Sequence, residues 1–462
     1  MRTVPFLLLA QPHLLNNMSS SDLWAAVAAG DVDTVRALLL QQPGVDVDAY
    51  NADGATLTYI AAAHGHTALV ELLVDEGGAD IGKATRDDAK SLLVADWGGD
   101  PQPTQEELDA PFGGVCPLYI AARNGRAGVV RALIARGGDM NQTTKVDGRT
   151  LLIGAARGGH ADVVKLLIEN GGDVNQAAND GKSPVWVASQ EGYTAVVKVL
   201  LENGGDIHQV DNLGATPVFV ASEEGHTATL QLLLENGGVA KQADNDGYTP
   251  VYMASQNGHT AALKVLIQNG GDVNQASNEG FTPMFIASQN GHTAVLKVLL
   301  KHRADVHKPN SQGVAPVYIA AQKGHTDAVH LLLKAGASAR TAEYKGQPTL
   351  HIAAANGHLP VVRVLAEIWP LDRRPWKMFL MGGGAASELQ DYLAPPANRS
   401  TRNFLPRLYS KPDMVKEIWK YLHKPRYVDV GQLNGNGRTA AQVATAHGKD
   451  DVAALLQQLS LQ

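Results

Sequence analysis

A glycine recurs at a fixed interval of 33 residues, at Gly148, Gly181, Gly214, Gly247, Gly280, Gly313 and Gly346. A period held this strictly means stacked copies of one supersecondary unit rather than a single globule. It overrides the roughly three domains that a chain of this length would otherwise suggest. Residues 247–279 show what the unit is. Thr249-Pro250 offers an N-cap and a first-turn proline, and Gly258 a left-handed stop, so the chain predicts a short helix between them. His259-Thr260 then opens a second helix, whose Ala262, Leu263, Leu266 and Ile267 share one face until Gly270-Gly271 ends it. The polar run Asp272 to Glu279 leads to the next glycine, and Asp244-Asn245-Asp246-Gly247 fits a type I turn with Asp first and Gly fourth. Each copy is helix, turn, helix, extended turn.

A β-turn and two helices per copy resemble the ankyrin repeat. The family's Thr-Pro-Leu-His-x-Ala signature reads here as Thr216-Pro217-Val218-Phe219-Val220-Ala221 and Thr282-Pro283-Met284-Phe285-Ile286-Ala287. The resemblance covers most of the chain. It implies an all-α fold, an ankyrin-repeat α-solenoid of about eleven units, with helix-turn-helix plus a β-turn or hairpin loop in each and polar caps at the ends.

The period also sets the divisions. Residues 1–21 read as a disordered extension and 22–80 as a capping unit followed by the first regular one. Met1 to Ala10 faintly resembles a secretory leader, but its apolar core holds a proline and is short. From Gly54 to Gly114 is 60 residues where one period is 33, so an insert is assigned to 81–112. It is acidic, holds Pro101, Pro103 and Pro111, and is either functional, with Trp97 and Leu108 as anchors, or disordered. A continuous array fills 113–366, its last unit inverting the motif as Pro348-Thr349-Leu350-His351, which puts that helix cap in question. Residues 367–430 interrupt the pattern, and 431–462 close it with a final capping unit. Between 372 and 426 the interruption carries eleven Lys and Arg against five acids, with aromatic residues throughout. It reads either as a decayed repeat or as a basic, aromatic dock for an acidic protein segment.

Composition narrows the function classes. A net charge of −7 argues against general affinity for nucleic acid, and no run approaches the roughly 20 apolar residues of a membrane span. The one cysteine, Cys116, excludes an intrachain disulfide and suits a reducing, cytoplasmic or nuclear, compartment. It stands where the family has Thr, so it is read as a buried substitute for a capping hydroxyl. Seven of the sixteen histidines fall in the Gly-His turn (His66, His160, His226, His259, His292, His325, His358), where they would hold backbone between helices. Ligands 33 residues apart in a stack do not converge, so neither metal nor cofactor is expected. Nucleophile elbow, P-loop, kinase set and paired-cysteine zinc site are all missing, and a non-catalytic monomer is expected.

Candidate partner-binding positions follow from what varies between units. Family architecture places the residue after the hairpin glycine and the end of helix one on a concave face that binds proteins. Tyr248 and Phe281 occupy the first position; Glu191, Glu224, Asn257 and Asn290 lie in the second. The signature histidine is replaced by rings in most units, among them Trp186, Phe219, Tyr252, Phe285 and Tyr318. These either pack between repeats or, if part-exposed, form an amphipathic stripe that anchors a partner. Two functions remain open: a scaffold binding one protein through the concave face, or an adaptor, for a ubiquitin ligase or signalling complex, that recruits machinery through 367–430.

Overall fold

The computed structural model describes residues 20–41, 44–86, 114–339, 343–345, 347–372, 434 and 436–460. The expectations for 1–19, for most of the insert at 81–112 and for most of the interruption at 367–430 fall outside them. Twenty-two helices and one two-stranded hairpin lie among the described residues. They form eleven helix pairs: α1 (Ser20–Ala29) with α2 (Val32–Gln41), α3 (Leu57–His64) with α4 (Thr67–Asp75), α5 (Pro117–Arg123) with α6 (Ala127–Ala135), and α7 (Leu151–Arg157) with α8 (Ala161–Glu169). Next come α9 (Pro184–Gln190) with α10 (Thr194–Glu202), α11 (Pro217–Glu223) with α12 (Thr227–Glu235), and α13 (Pro250–Gln256) with α14 (Thr260–Gln268). The rest are α15 (Pro283–Asn290) with α16 (Thr293–Lys301), α17 (Pro316–Lys323) with α18 (Thr326–Lys334), α19 (Thr349–Ala355) with α20 (Leu359–Asp372), and α21 (Ala440–Ala446) with α22 (Asp450–Ser460). Strands β1 (Glu343–Tyr344) and β2 (Gln347–Pro348) pair antiparallel just before α19.

Packing divides the chain into two units. The first runs to Ala254 and includes Ala261–Gly271; the second comprises Ser255–Thr260 and everything from Asp272 onward. In the first unit the leading helices α1, α3, α5, α7, α9 and α11 pack in one row, and the trailing helices α2 to α12 in another. The second unit repeats this with α15, α17, α19 and α21 beside α16, α18, α20 and α22. Each is an all-α solenoid segment, and its core is built from small residues that let backbones approach: Ala121, Ala155, Ala188, Ala221, Ala287, Ala320 and Ala353 are wholly buried.

Local chemistry explains why each pair forms. The hydroxyls of Thr56, Thr150, Ser183, Thr216, Thr249 and Thr282 each accept the backbone N–H three residues on, at 3.1–3.2 Å. Removing such a cap costs about 1 kcal/mol. Cys116 does the same with sulfur, taking the Tyr119 N–H at 3.3 Å. Burial pushes its thiol up to about 11, so it is an inert substitute for Thr. In the unit with the inverted motif Pro348 stands at the cap position and contributes no side-chain bond.

Histidines of the Gly-His turn stitch one pair to the one before. The Nε2 atoms of His292, His325 and His358 lie 2.8–2.9 Å from the carbonyls of Gln256, Gln289 and Gln322, and His66 lies 3.1 Å from that of Ala28. The ring needs a glycine beneath it. At Gly192, φ is +76° and a Cβ would stand 2.4 Å from Nδ1 of His226, so both conformation and contact demand glycine there.

Trailing helices end on a left-handed residue, which is glycine at Gly137, Gly171, Gly204, Gly237, Gly270 and Gly336. After α16 it is Arg303, at φ +63°. That conformation costs an L-residue about 1–2 kcal/mol.

Both departures from the period leave the rows unbroken. At the start of the insert assigned to 81–112, Thr85 donates its N–H to the Val115 carbonyl and its carbonyl accepts the N–H of Gly114, at 2.9 and 3.1 Å, so the chain leaves and returns at one point. After the interruption, α21 packs on α19 and Nε2 of His351 meets the carbonyl of Arg438 at 3.2 Å. Trp186 makes the equivalent bond, from Nε1 to the carbonyl of Ala215 in the following repeat, at 3.0 Å. The last pair therefore docks in repeat register.

Candidate recognition surface

The signature rings sit inside the stack. Trp186, Phe219, Tyr252, Phe285 and Tyr318 are only 2–5% exposed, which corrects their assignment to a partner-contacting stripe. The cause is geometric. At Trp186, Tyr252 and Phe285 the capped first turn folds the residue after the hairpin glycine over the ring four positions later. Tyr248 covers Tyr252 with ring centroids 4.7 Å apart, and Phe281 covers Phe285 at 5.2 Å. Over Trp186 the cover is the Lys182 ammonium, 4.8 Å from the ring and held by Asp180 at 3.1 Å. Tyr318 has Tyr344 of β1 edge-on at 6.3 Å, and burial pushes its hydroxyl up to about 12, Tyr344 adding to the rise.

What reaches solvent is the covering layer. Tyr248 and Phe281 are half-buried, each seated on a buried partner and fixed by a backbone bond, from Tyr248 N–H to the Asp244 carboxylate at 2.8 Å and from Phe281 N–H to the Ser277 hydroxyl at 3.2 Å. At the helix ends Glu224, Asn257 and Asn290 are exposed and Glu191 is half-buried. Asn290 is partly committed to the fold, its amide donating to the Gln256 carbonyl at 2.8 Å.

Two features of the first unit escaped the residue pattern. Carboxylates from separate repeats gather near Glu223. Burial raises its pKa first, and Glu224, Asp244 and Asp211 raise it further. Asp244 is raised as well, by burial and then by Asp246 and Asp211, against the lowering effect of the N–H groups of Tyr248 and Asp246. The recurring turn Asp was the available signal, but its distance to Glu223 depends on stacking. The second feature is Leu213, 71% exposed at a hairpin tip beside the exposed Val210. The equivalent residues are Asp180, Asp246, Glu279 and Gln312, so an apolar side chain at a position polar elsewhere marked it.

Among the described residues no group of His, Cys, Asp and Glu is arranged to hold a metal ion, and no helix is long and apolar enough to cross a membrane. A protein-family model described as "Ankyrin repeats (3 copies)" matches residues 2–100, 118–211, 187–277, 218–310, 263–343 and 302–372. Together the matches span well over half of the sequence.

Proposed function

The chain belongs to the ankyrin repeat family, and from that premise we propose that it is a non-catalytic scaffold that binds a partner protein through the concave face of its repeats. Ankyrin repeats are generally protein–protein interaction modules; which face and which residues act here is our reading. The observation that carries it is the two-layer arrangement at Tyr248–Tyr252 and Phe281–Phe285, in which the outer ring is presented on a buried inner one. An aromatic side chain already seated loses little rotamer freedom on binding, which favours it as an interface anchor. Glu191, Glu224, Asn257 and Asn290 would supply the polar rim. The acidic gathering around Glu223 would favour a basic segment of the partner over the first unit. With its single thiol buried and inert, the protein fits a reducing cytoplasmic or nuclear setting, and we take it to act as a monomer.

The test is affinity purification with the full chain beside Tyr248→Ser and Phe281→Ser together. Both substitutions leave the inner rings in place, so a thermal melt close to wild type with loss of the main interactor supports the proposal. An unchanged partner set with an unchanged melt refutes it.

A second reading, an adaptor recruiting machinery through 367–430, is favoured by one observation. The docking of α21 on α19 in register carries the repeat rows across from Asp372 to the last pair. Deleting residues 373–433 separates the two readings, since a plain scaffold keeps its whole partner set.

A further inference from the structure

We propose that the trailing-helix face of the second unit is a separate docking surface for an acidic segment of a protein partner. On α8, α10 and α12 of the first unit the exposed face is neutralised internally, although Arg131 on α6 and Lys264 on α14 have no acid one turn on. Lys165 and Lys198 stand one turn before Glu169 and Glu202, each pair at 3.9 Å, and Gln231 bonds Glu235 at 2.7 Å. In the second unit the same two positions are Lys297 and Lys301 on α16, His330 and Lys334 on α18, and Arg363 and Glu367 on α20. The five basic residues are exposed. Like charges one turn apart, as at Lys297 and Lys301, disfavour the helix that carries them.

A bland account covers part of this. A lysine in the last turn complements the helix dipole, which suits Lys301 and Lys334. It does not cover Arg303. That residue follows α16 in the left-handed conformation its sister repeats give to glycine, its backbone N–H donates to the Leu300 carbonyl at 3.1 Å, and its exposed side chain has no hydrogen bond or ion pair among the described residues. The strained backbone closes α16 as a glycine would, and a side chain kept there without a contact in the fold points to a role outside it. Besides Glu367 on α20, the carboxylates nearby are placed for other tasks: Asp327 lies in the first turn of α18, and Asp305 accepts the His307 N–H at 2.8 Å.

The geometry favours an acidic peptide over other polyanions. Three neighbouring helices at spacings of about 10 Å give a strip of roughly 20 Å, the reach of about six extended residues. Among the described residues the large exposed apolar side chains are Leu40, Tyr50, Val146, Val210 and Leu213, none of them in the second unit, so nothing accompanies the patch into a bilayer. A long nucleic acid would have to run on past this short strip on a protein whose net charge is −7.

The experiment is fluorescence anisotropy of the full-length protein with a labelled peptide of about eight Asp and Glu residues. Binding that weakens with salt is expected. Arg303→Gly restores the sister residue, so it should raise the melting temperature while weakening binding about fivefold, and Lys301→Glu with Lys334→Glu should weaken it about tenfold or more. Lys165→Glu with Lys198→Glu, equal in charge change but in the first unit, should leave binding intact. The proposal is overturned if Arg303→Gly leaves affinity unchanged or if the first-unit control loses as much. It is overturned equally if phosphatidylserine vesicles or duplex DNA, at matched charge, displace the peptide.

Discussion

Replacing Gly192 by Ala separates two demands that coincide at that residue. At Gly204 φ is +83° and a Cβ would meet nothing within 4 Å, so Gly204→Ala isolates the backbone term, about 1–2 kcal/mol. Gly192 has nearly the same φ, +76°, but there a Cβ would stand 2.4 Å from Nδ1 of His226. No Cβ tolerates that distance, so either the imidazole leaves its seat or the two repeats part. Overpacking of this kind adds about 1–3 kcal/mol. Gly192→Ala should therefore lose about 2–5 kcal/mol against 1–2 for Gly204→Ala. Urea unfolding of each variant, followed by circular dichroism, measures the difference. Adding His226→Ala removes the clashing ring, so Gly192→Ala measured in that background should shrink to the Gly204→Ala value. Equal losses for the two glycine variants, or no recovery with His226→Ala, would refute the claim that the histidine ring makes this glycine obligatory.

Further outcomes follow from the same geometry. Cys116→Thr should preserve stability, whereas Cys116→Ala should lose about 1 kcal/mol of capping, and the native thiol should resist alkylation near neutral pH. Phe285→Ala should lose about 3–5 kcal/mol as a core cavity, and Phe281→Ala, which strips only the covering layer, clearly less. Glu223 and Asp244 are raised in the folded state, so their contribution is fully present below their ordinary values near pH 4 and is lost as pH rises through the raised ones. Glu223→Gln should accordingly raise the melting temperature at pH 7 relative to wild type, with the gain fading toward pH 4; a gain independent of pH would dismiss the cluster.

The helices were legible in the sequence because their causes are local. Thr282 before Pro283 caps its own helix whatever surrounds it, and the Thr-like role of Cys116 could be read from its place beside Pro117. The rings were not legible in the same way. Whether Phe285 faces solvent depends on Phe281 folding back over it, which is not written into the Thr-Pro motif. Asp244 looked like a turn residue because it is one, its Oδ1 taking the Tyr248 N–H at 2.8 Å. Its second role, charging the neighbourhood of Glu223, appears only when the repeats are stacked.

The His351–Arg438 contact has a consequence for how such a chain changes over time. When adjoining modules recognise each other through their own faces, the tether between them sets only a loop-closure entropy, which grows with the logarithm of its length. The joint after α20 is thus expected to accept changes of length. Foreign sequence, even a folded domain whose ends lie close together, could be grafted there and exchanged while the host on either side keeps its contacts.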